Sequence, residues 1–253
     1  MCAGESYWRA RIAVMRILLA STNQGKIVEL SQILGRTGAE VIGLSGLATT
    51  QHIETGSTFR ENALLKARYY RRASGLTTMA DDSGLEVEAL GGAPGLHSAL
   101  YGGADASDAD RINRLLAAMK DVPPEQRGAR FVCEAAIAWD GGEQTFTGEA
   151  HGRILAKPRG REGFGYDPVF FYSPLGKTFA ELTTTEKSEV SHRGRAFRQL
   201  ADWLREGSAL DTSRPSDRIT IPLEIPALAP NEVKHEKRNE TVCCDCDGRD
   251  RVR

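Results

Sequence analysis

An α/β fold is predicted by short apolar runs that alternate with segments of helical periodicity. Residues 15–20 read as a buried strand, which ends at a polar loop beginning with Ser21. After Gly25 and Lys26, apolar side chains recur at helical spacing, at Ile27, Leu30, Ile33 and Leu34. Such a strand–loop–helix unit places backbone N–H groups and a lysine at a helix N-terminus, which favours the binding of an anion.

The alternation continues in the next segment. Thr58 and Glu61 have capping-box spacing at the start of a second helix, and Gly75 is placed to end it. Residues 76–80 then read as a second strand, which delivers Asp81 and Asp82 at its C-terminal end. Ligands of α/β folds commonly bind at the carboxyl ends of strands, so this position favours a functional role for the two acids.

The rest of the chain is assigned from the same patterns. The predicted elements are a helix over 107–119, a hairpin of 130–139 and 144–154, a loop over 163–168, a strand over 169–171 and a last helix over 191–205.

Composition excludes several classes of protein. The net charge of −1 gives no electrostatic basis for binding nucleic acid or an anionic membrane. No apolar run approaches the roughly 20 residues that a membrane-spanning helix needs. Residues 1–14 contain no uninterrupted apolar segment of the secretory type. Three of the five cysteines crowd the C-terminus and none pairs plausibly with Cys133, which favours a reduced, cytoplasmic compartment.

One domain is expected over residues 15–207. Residues 1–14 read as an N-terminal extension, with Met15 as an alternative start of the protein. Residues 208–253 hold four of the ten prolines and no Phe, Tyr or Trp, so we expect a disordered tail. Its cysteines at 243, 244 and 246 invite a zinc site, but structural sites usually need a second cysteine pair, so a free tail is favoured.

The pair Asp81-Asp82, followed by Ser83 and Gly84, is the strongest chemical signal in the chain. Adjacent carboxylates raise each other's pKa, and a hard divalent cation removes that cost. Mg²⁺ held by one or two carboxylates usually carries a substrate phosphate. In isolation the same four residues are more often a turn or a strand-end cap.

Four separated motifs together resemble the inosine/xanthosine triphosphate pyrophosphatase family, which acts on noncanonical purine nucleotides. In chain order they are Ser21-Thr22-Asn23-Gln24-Gly25-Lys26; Thr58-Phe59-Arg60-Glu61-Asn62-Ala63 with Lys66; Ala80-Asp81-Asp82-Ser83-Gly84; and Phe164-Gly165-Tyr166-Asp167 with Lys187 and Ser191-His192-Arg193. The resemblance covers residues 15 to about 206. It implies a mixed, curved sheet flanked by helices, with two lobes and a central cleft. It also implies hydrolysis of inosine, deoxyinosine and xanthosine triphosphates to the monophosphate and pyrophosphate, with Mg²⁺, by a homodimer.

The resemblance assigns roles to residues of the first three motifs and to Glu54. Phosphate oxygens would be held by the loop from Ser21 to Lys26, with Lys66 and Ser83. Glu54 and Asp82 would hold the metal, and Asp82 would accept the proton of the attacking water. The role of Asp81 stays open between a second acid and a structural orienter. Lysines and Mg²⁺ suit this reaction, because attack on phosphorus is limited mainly by positioning and charge neutralisation.

The fourth motif would bind the base. Phe164 offers a stacking face, Gly165, Tyr166 and Asp167 complete its loop, and Lys187, His192 and Arg193 supply hydrogen-bond donors. The 6-oxo group of hypoxanthine or xanthine accepts hydrogen bonds, whereas the 6-amino group of adenine would leave those donors unpaired.

Two other functions are compatible with parts of the sequence. A Maf-like enzyme would prefer pyrimidine triphosphates, and the Phe164 and Ser191 motifs argue against it. A nucleotide-binding protein without activity would not need Asp82 and both lysines. Leu100 departs from the resemblance, since bacterial members often carry an arginine there, at the rim of the site or at the dimer contact.

Overall fold

The computed structural model describes residues 15–35, 39–44 and 54–206. Within these ranges the strands are β1 (Arg16–Leu19), β2 (Glu40–Ile42), β3 (Thr77–Val87), β4 (Gly128–Trp139), β5 (Gly142–Ile154), β6 (Phe170–Tyr172) and β7 (Lys177–Thr178). These seven strands form one mixed sheet in the order β2-β1-β3-β4-β5-β6-β7. The helices are α1 (Gln24–Leu34), α2 (Phe59–Ser74), α3 (Asp108–Ala118), α4 (Thr184–Val190) and α5 (His192–Arg205). The predicted N-terminal extension, C-terminal tail and cysteine cluster lie outside the described residues.

The sheet changes from parallel to antiparallel at β3, which confirms a mixed α/β fold. Strand β1 pairs in parallel with β2 and β3, whereas every other neighbouring pair is antiparallel. The longest pairings join β3 to β4 and β4 to β5, and the second of these is the predicted hairpin.

Helix α2 begins and ends largely as its sequence predicts. The Thr58 side chain accepts a hydrogen bond from the Glu61 amide, and Gly75 closes the helix with φ of 72°, a conformation that glycine adopts without strain. The predicted capping box forms only in part, because the Glu61 carboxylate accepts from the amide and hydroxyl of Ser57 instead. The Glu61 carboxylate therefore bonds to Ser57, one position before the N-cap residue Thr58 that a capping box would use.

The buried apolar side chains divide along β3. Met79 packs with α1 and α5 on one face, and Ala80 packs with α2 on the other. Further along the strand, Leu85 and Val87 belong to a separate cluster that includes residues of α3 and β6. The polar residues 81–83 lie on β3 between these clusters.

One prediction about β3 is wrong. Asp81 and Asp82 were expected at the end of a strand, but β3 continues through them to Val87. Antiparallel pairing with β4 keeps this stretch extended, with Asp81 opposite Ala135 and Gly84 opposite Val132. The parallel pairing with β1 does end at Met79, so the two acids lie just beyond it. No helix in the described ranges is long and apolar enough to cross a membrane.

Candidate active site

Asp82 lies on the face of the sheet that α2 covers. Its Oδ2 accepts a hydrogen bond from Asn62 Nδ2 at 3.0 Å, and its Oδ1 accepts from the Ser83 amide at 3.0 Å. Lys66 Nζ is 3.9 Å from Oδ1. Burial raises the pKa of Asp82, although Lys66 and the bond from Asn62 oppose the rise. A carboxylate with a raised pKa accepts a proton more readily, which suits a general base.

Lys66 links Asp82 to Glu54. Its Nζ donates to Glu54 Oε1 at 2.6 Å, while the Glu54 side chain is 48% exposed. Burial alone would lower the pKa of Lys66, but the carboxylates of Asp81, Asp82 and Glu54 raise it. Lys66 therefore stays charged between the two acids Glu54 and Asp82.

Asp81 lies on the opposite face and contacts different cations. Its Oδ2 accepts from Lys26 Nζ at 2.7 Å and from Ser83 Oγ at 2.8 Å, and it is 3.5 Å from Arg193 Nε. Burial opposes ionisation, but the charges of Lys26, Arg193 and Lys66 outweigh it and hold the pKa of Asp81 well below its ordinary value. This carboxylate is ionised and has three donors around Oδ2, which favours the structural alternative for its role.

A buried ion network continues from Arg193. Glu29 of α1 contacts Arg193 Nη1 at 2.5 Å with one oxygen and Lys187 Nζ at 2.5 Å with the other. Lys187 also contacts Asp167 Oδ2 at 2.5 Å. Burial raises the pKa of Asp167, against the charge of Lys187. These contacts join α1, which begins within the first motif, to residues of the fourth motif.

Phe164 lies against this network. Lys187 Nζ is 4.7 Å from the centre of its ring, and Arg193 Cζ is 5.5 Å from it. The ring packs on the backbone of Gly25, since a Cβ there would lie 2.7 Å from Phe164 Cε1. The Phe164 amide donates to Asp167 Oδ2 at 2.9 Å, which fixes the loop to the network.

The polar loop before α1 takes the form expected of a helix N-terminus. Asn23 Oδ1 accepts from the Lys26 amide at 3.1 Å, and the Asn23 amide donates to Ser21 Oγ at 3.2 Å. Thr22, Asn23 and Gln24 are exposed. The loop is open to solvent and directs Lys26 towards Asp81.

Three further residues of the predicted base-binding set contact other parts of the protein. The Tyr166 ring packs in the core and its hydroxyl donates to the Ser98 carbonyl oxygen at 2.9 Å. Gly165 donates its amide to Asp108 Oδ2 at 2.6 Å. His192 stacks on Phe131 with ring centres 4.6 Å apart, and its Nδ1 has no partner among the described residues. Burial, helped by the charge of Arg193, lowers the pKa of His192 well below its ordinary value, so the ring is neutral.

The acids near Lys66 have the chemistry to hold Mg²⁺. Glu54 and Asp82 offer carboxylate oxygens, the hard donors that Mg²⁺ prefers. Within the described ranges, no group of three or more His, Cys, Asp or Glu side chains is arranged to hold a metal ion by itself. Two carboxylates that rely on a bound phosphate chain for further ligands fit the usual mode of Mg²⁺ binding.

Sequence reasoning missed two residues of the site. Glu29 falls three residues after Lys26 and four before Ile33, so an acid lay on the apolar face of a predicted helix. Asn62 was recognised within its motif but given no function. Its Oδ1 accepts from the Gly56 amide at 2.8 Å, so its carboxamide joins the segment after Glu54 to Asp82.

Comparison with known proteins finds relatives over most of the chain. A model of the Ham1 family matches residues 17–203. A Yersinia pseudotuberculosis protein named dITP/XTP pyrophosphatase is 48% identical over 196 residues, covering 76% of this chain and 100% of that protein. A Thermus thermophilus protein of the same name is 47% identical over 194 residues, covering 76% and 93%.

Solved structures show the same relationship. A HAM1 protein from Coxiella burnetii superposes with a TM-score of 0.70 at 40% identity, covering 76% of this chain and 100% of that one. A nucleoside-triphosphatase/dITP/XTP pyrophosphatase from Mycobacterium abscessus gives a TM-score of 0.61 at 44% identity, covering 75% and 99%. The match of family model, sequence and structure shows that this chain belongs to the Ham1 family.

Proposed function

We propose that this chain hydrolyses inosine, deoxyinosine and xanthosine triphosphates to the monophosphate and pyrophosphate, and so removes deaminated purines from the nucleotide pool. The observation that carries the proposal is Asp82, a buried carboxylate of raised pKa held beside the charged Lys66. The names of the relatives, dITP/XTP pyrophosphatase, support the same substrates and reaction.

In the proposed reaction, Asp82 removes a proton from the attacking water. The water oxygen forms a bond to the α-phosphorus, the bond from that phosphorus to the oxygen bridging the α- and β-phosphates breaks, and pyrophosphate leaves. Lys26 and Lys66 bind the phosphate oxygens and offset the charge that builds up on them. Glu54 and Asp82 would hold Mg²⁺, which neutralises phosphate charge when bound.

The base would stack on Phe164 beside Lys187 and Arg193. Two of the three donors of the Lys187 ammonium group are taken by Glu29 and Asp167. The third is available for the 6-oxo group of hypoxanthine or xanthine. The 6-amino group of adenine cannot accept that bond, so adenosine triphosphate should be rejected by several orders of magnitude.

A homodimer in the cytoplasm is part of the proposal. Leu100, which is 58% exposed, stands at the position proposed for the rim of the site or the dimer contact. No nucleic acid or membrane is expected as a partner.

The test measures pyrophosphate release with Mg²⁺ from inosine, xanthosine, adenosine, guanosine and thymidine triphosphates. Turnover confined to the first two supports the proposal. Preference for the pyrimidine nucleotide, thymidine triphosphate, would favour a Maf-like enzyme. Binding of these triphosphates without turnover would favour a nucleotide-binding protein without activity.

A further inference from the structure

We propose that Asp81 is a positioning residue that couples binding of the triphosphate to binding of the base. This inference rests on the proposed function, because it takes a purine nucleoside triphosphate as the ligand. It adds a role for a residue that does not itself contact the reacting atoms.

The coupling follows from one shared oxygen atom. Asp81 Oδ2 is 2.7 Å from Lys26 Nζ and 3.5 Å from Arg193 Nε. Lys26 lies in the first turn of α1, whose N-terminus would bind phosphate, whereas Arg193 Cζ lies 5.5 Å from the ring proposed to stack on the base. The two halves of the substrate would therefore be bound by cations that compete for the same carboxylate.

Burial makes this competition significant. The Asp81 and Arg193 side chains are 1% and 3% exposed, so water compensates little for the loss of a partner. Lys26 is the more accessible of the two cations, with 17% of its side chain exposed. Lys26 can therefore turn towards a bound phosphate while Arg193 stays in place.

The expected coupling is favourable. A triphosphate gives Lys26 a second anionic partner, which leaves more of the Asp81 charge to Arg193. Arg193 is then held more firmly beside Phe164, and the base binds to a better ordered surface. Bound base should, in turn, strengthen phosphate binding by the same factor, since coupling between two sites is reciprocal.

The experiment separates the substrate into two fragments. Calorimetry measures the Kd of inosine with and without saturating inorganic triphosphate, for the full chain and for Asp81→Asn. In the unaltered protein, triphosphate should tighten inosine binding by about fivefold, within the usual range for residues of one network. In Asp81→Asn, the two Kd values should agree within about 1.5-fold.

Glu86→Gln is the matched variant. It neutralises another acid of β3, whose Oε2 accepts from Arg130 Nε at 2.7 Å, but it leaves Asp81, Lys26 and Arg193 unchanged. In this variant, triphosphate should still lower the Kd of inosine about fivefold. Circular dichroism and thermal melting establish that each variant is folded.

Several results would overturn the coupling role. Equal Kd values of inosine with and without triphosphate in the unaltered protein would overturn it, even if Asp81→Asn failed to fold. A fivefold tightening that persists in a folded Asp81→Asn would also overturn it. Loss of the fivefold tightening in Glu86→Gln as well would assign the effect to general disturbance of the strand. If the unaltered protein releases pyrophosphate from inosine triphosphate but shows no coupling, the proposed function stands and only this inference fails.

Discussion

Asp81 and Asp82 are neighbours in β3, yet their carboxylates lie on opposite faces of the sheet and contact different cations. Asp81 binds Lys26 and Arg193, whereas Asp82 is held by Asn62 and Lys66. Their pKa values move in opposite directions, downward for Asp81 and upward for Asp82. Environments that separate the pKa values of two acids mark their separate roles. The two carboxylates thus have separate sets of contacts.

Asn62→Ala should weaken metal-dependent activity. The substitution removes the hydrogen bonds of Asn62 to Asp82 Oδ2 and to the Gly56 amide. Neither the proposed general base, Asp82, nor the segment after Glu54 is then held in position. We expect the Mg²⁺ concentration for half-maximal rate to rise about 10- to 100-fold, as for other residues that orient metal ligands. Glu61→Gln is the control, because Glu61 bonds to Ser57 of the same segment but not to Asp82. Equal effects in both variants would contradict a specific role for Asn62.

Gly25→Ala should impair binding of the base. A Cβ at this position overlaps the Phe164 ring and must displace it from the backbone of α1. Stacking of a base on an aromatic ring is worth about 1–3 kcal/mol, so KM for inosine triphosphate should rise about tenfold. Gly43→Ala is the control, since nothing lies within 4 Å of the added Cβ. A normal KM in Gly25→Ala would argue against Phe164 as the stacking surface.

Glu29→Gln should destabilise the fold and weaken base binding together. The change removes the charge shared by Lys187 and Arg193, and breaking a buried ion pair costs about 3 kcal/mol. Thermal melting should show a Tm about 6–12 °C lower. Glu143→Gln, which breaks a surface pair with Arg68, should cost at most about 1 kcal/mol. A Tm change of similar size in both variants would show that the buried network adds no special stability.

His192 should make the fold sensitive to acid. Its pKa is well below the ordinary value of about 6.5, so the unfolded chain binds the proton more readily as pH falls. The stability contribution of the neutral ring is therefore complete above pH 6.5 and is lost on acidification below it. Between pH 6 and 5, the free energy of unfolding should fall by up to about 1.4 kcal/mol per pH unit more than in His192→Gln. Urea titrations at each pH measure this, and identical pH slopes would count against a buried neutral histidine.

Local elements were predictable because their causes are local. The periodicity of α1, the Thr58 cap and the glycine that ends α2 are properties of a few consecutive residues. The full length of β3 was missed at the polar pair, although Leu85 and Val87 alternate with Gly84 and Glu86 as in a strand. The alternation was the better signal, because cross-strand pairing with β4 outweighs the polarity of two residues.

Tertiary pairing was not predictable from spacing. Arg193 and Glu29 are 164 positions apart, and Arg193 and Asp81 are 112 apart. Nothing in the local sequence of either residue specifies the other. The motifs indicated which residues belong to one site. Only the fold shows that Asp81 contacts Arg193, whereas Asp82 contacts Lys66.

The most direct test of the account is the rate of pyrophosphate release from inosine triphosphate by Asp82→Asn at saturating Mg²⁺. The substitution keeps the size of the side chain and removes the proposed proton acceptor. We expect kcat to fall by at least about 100-fold, the lower range for loss of a general base, while calorimetry still detects binding of inosine. A kcat within about threefold of the unaltered protein would contradict the assignment of Asp82 as the catalytic base.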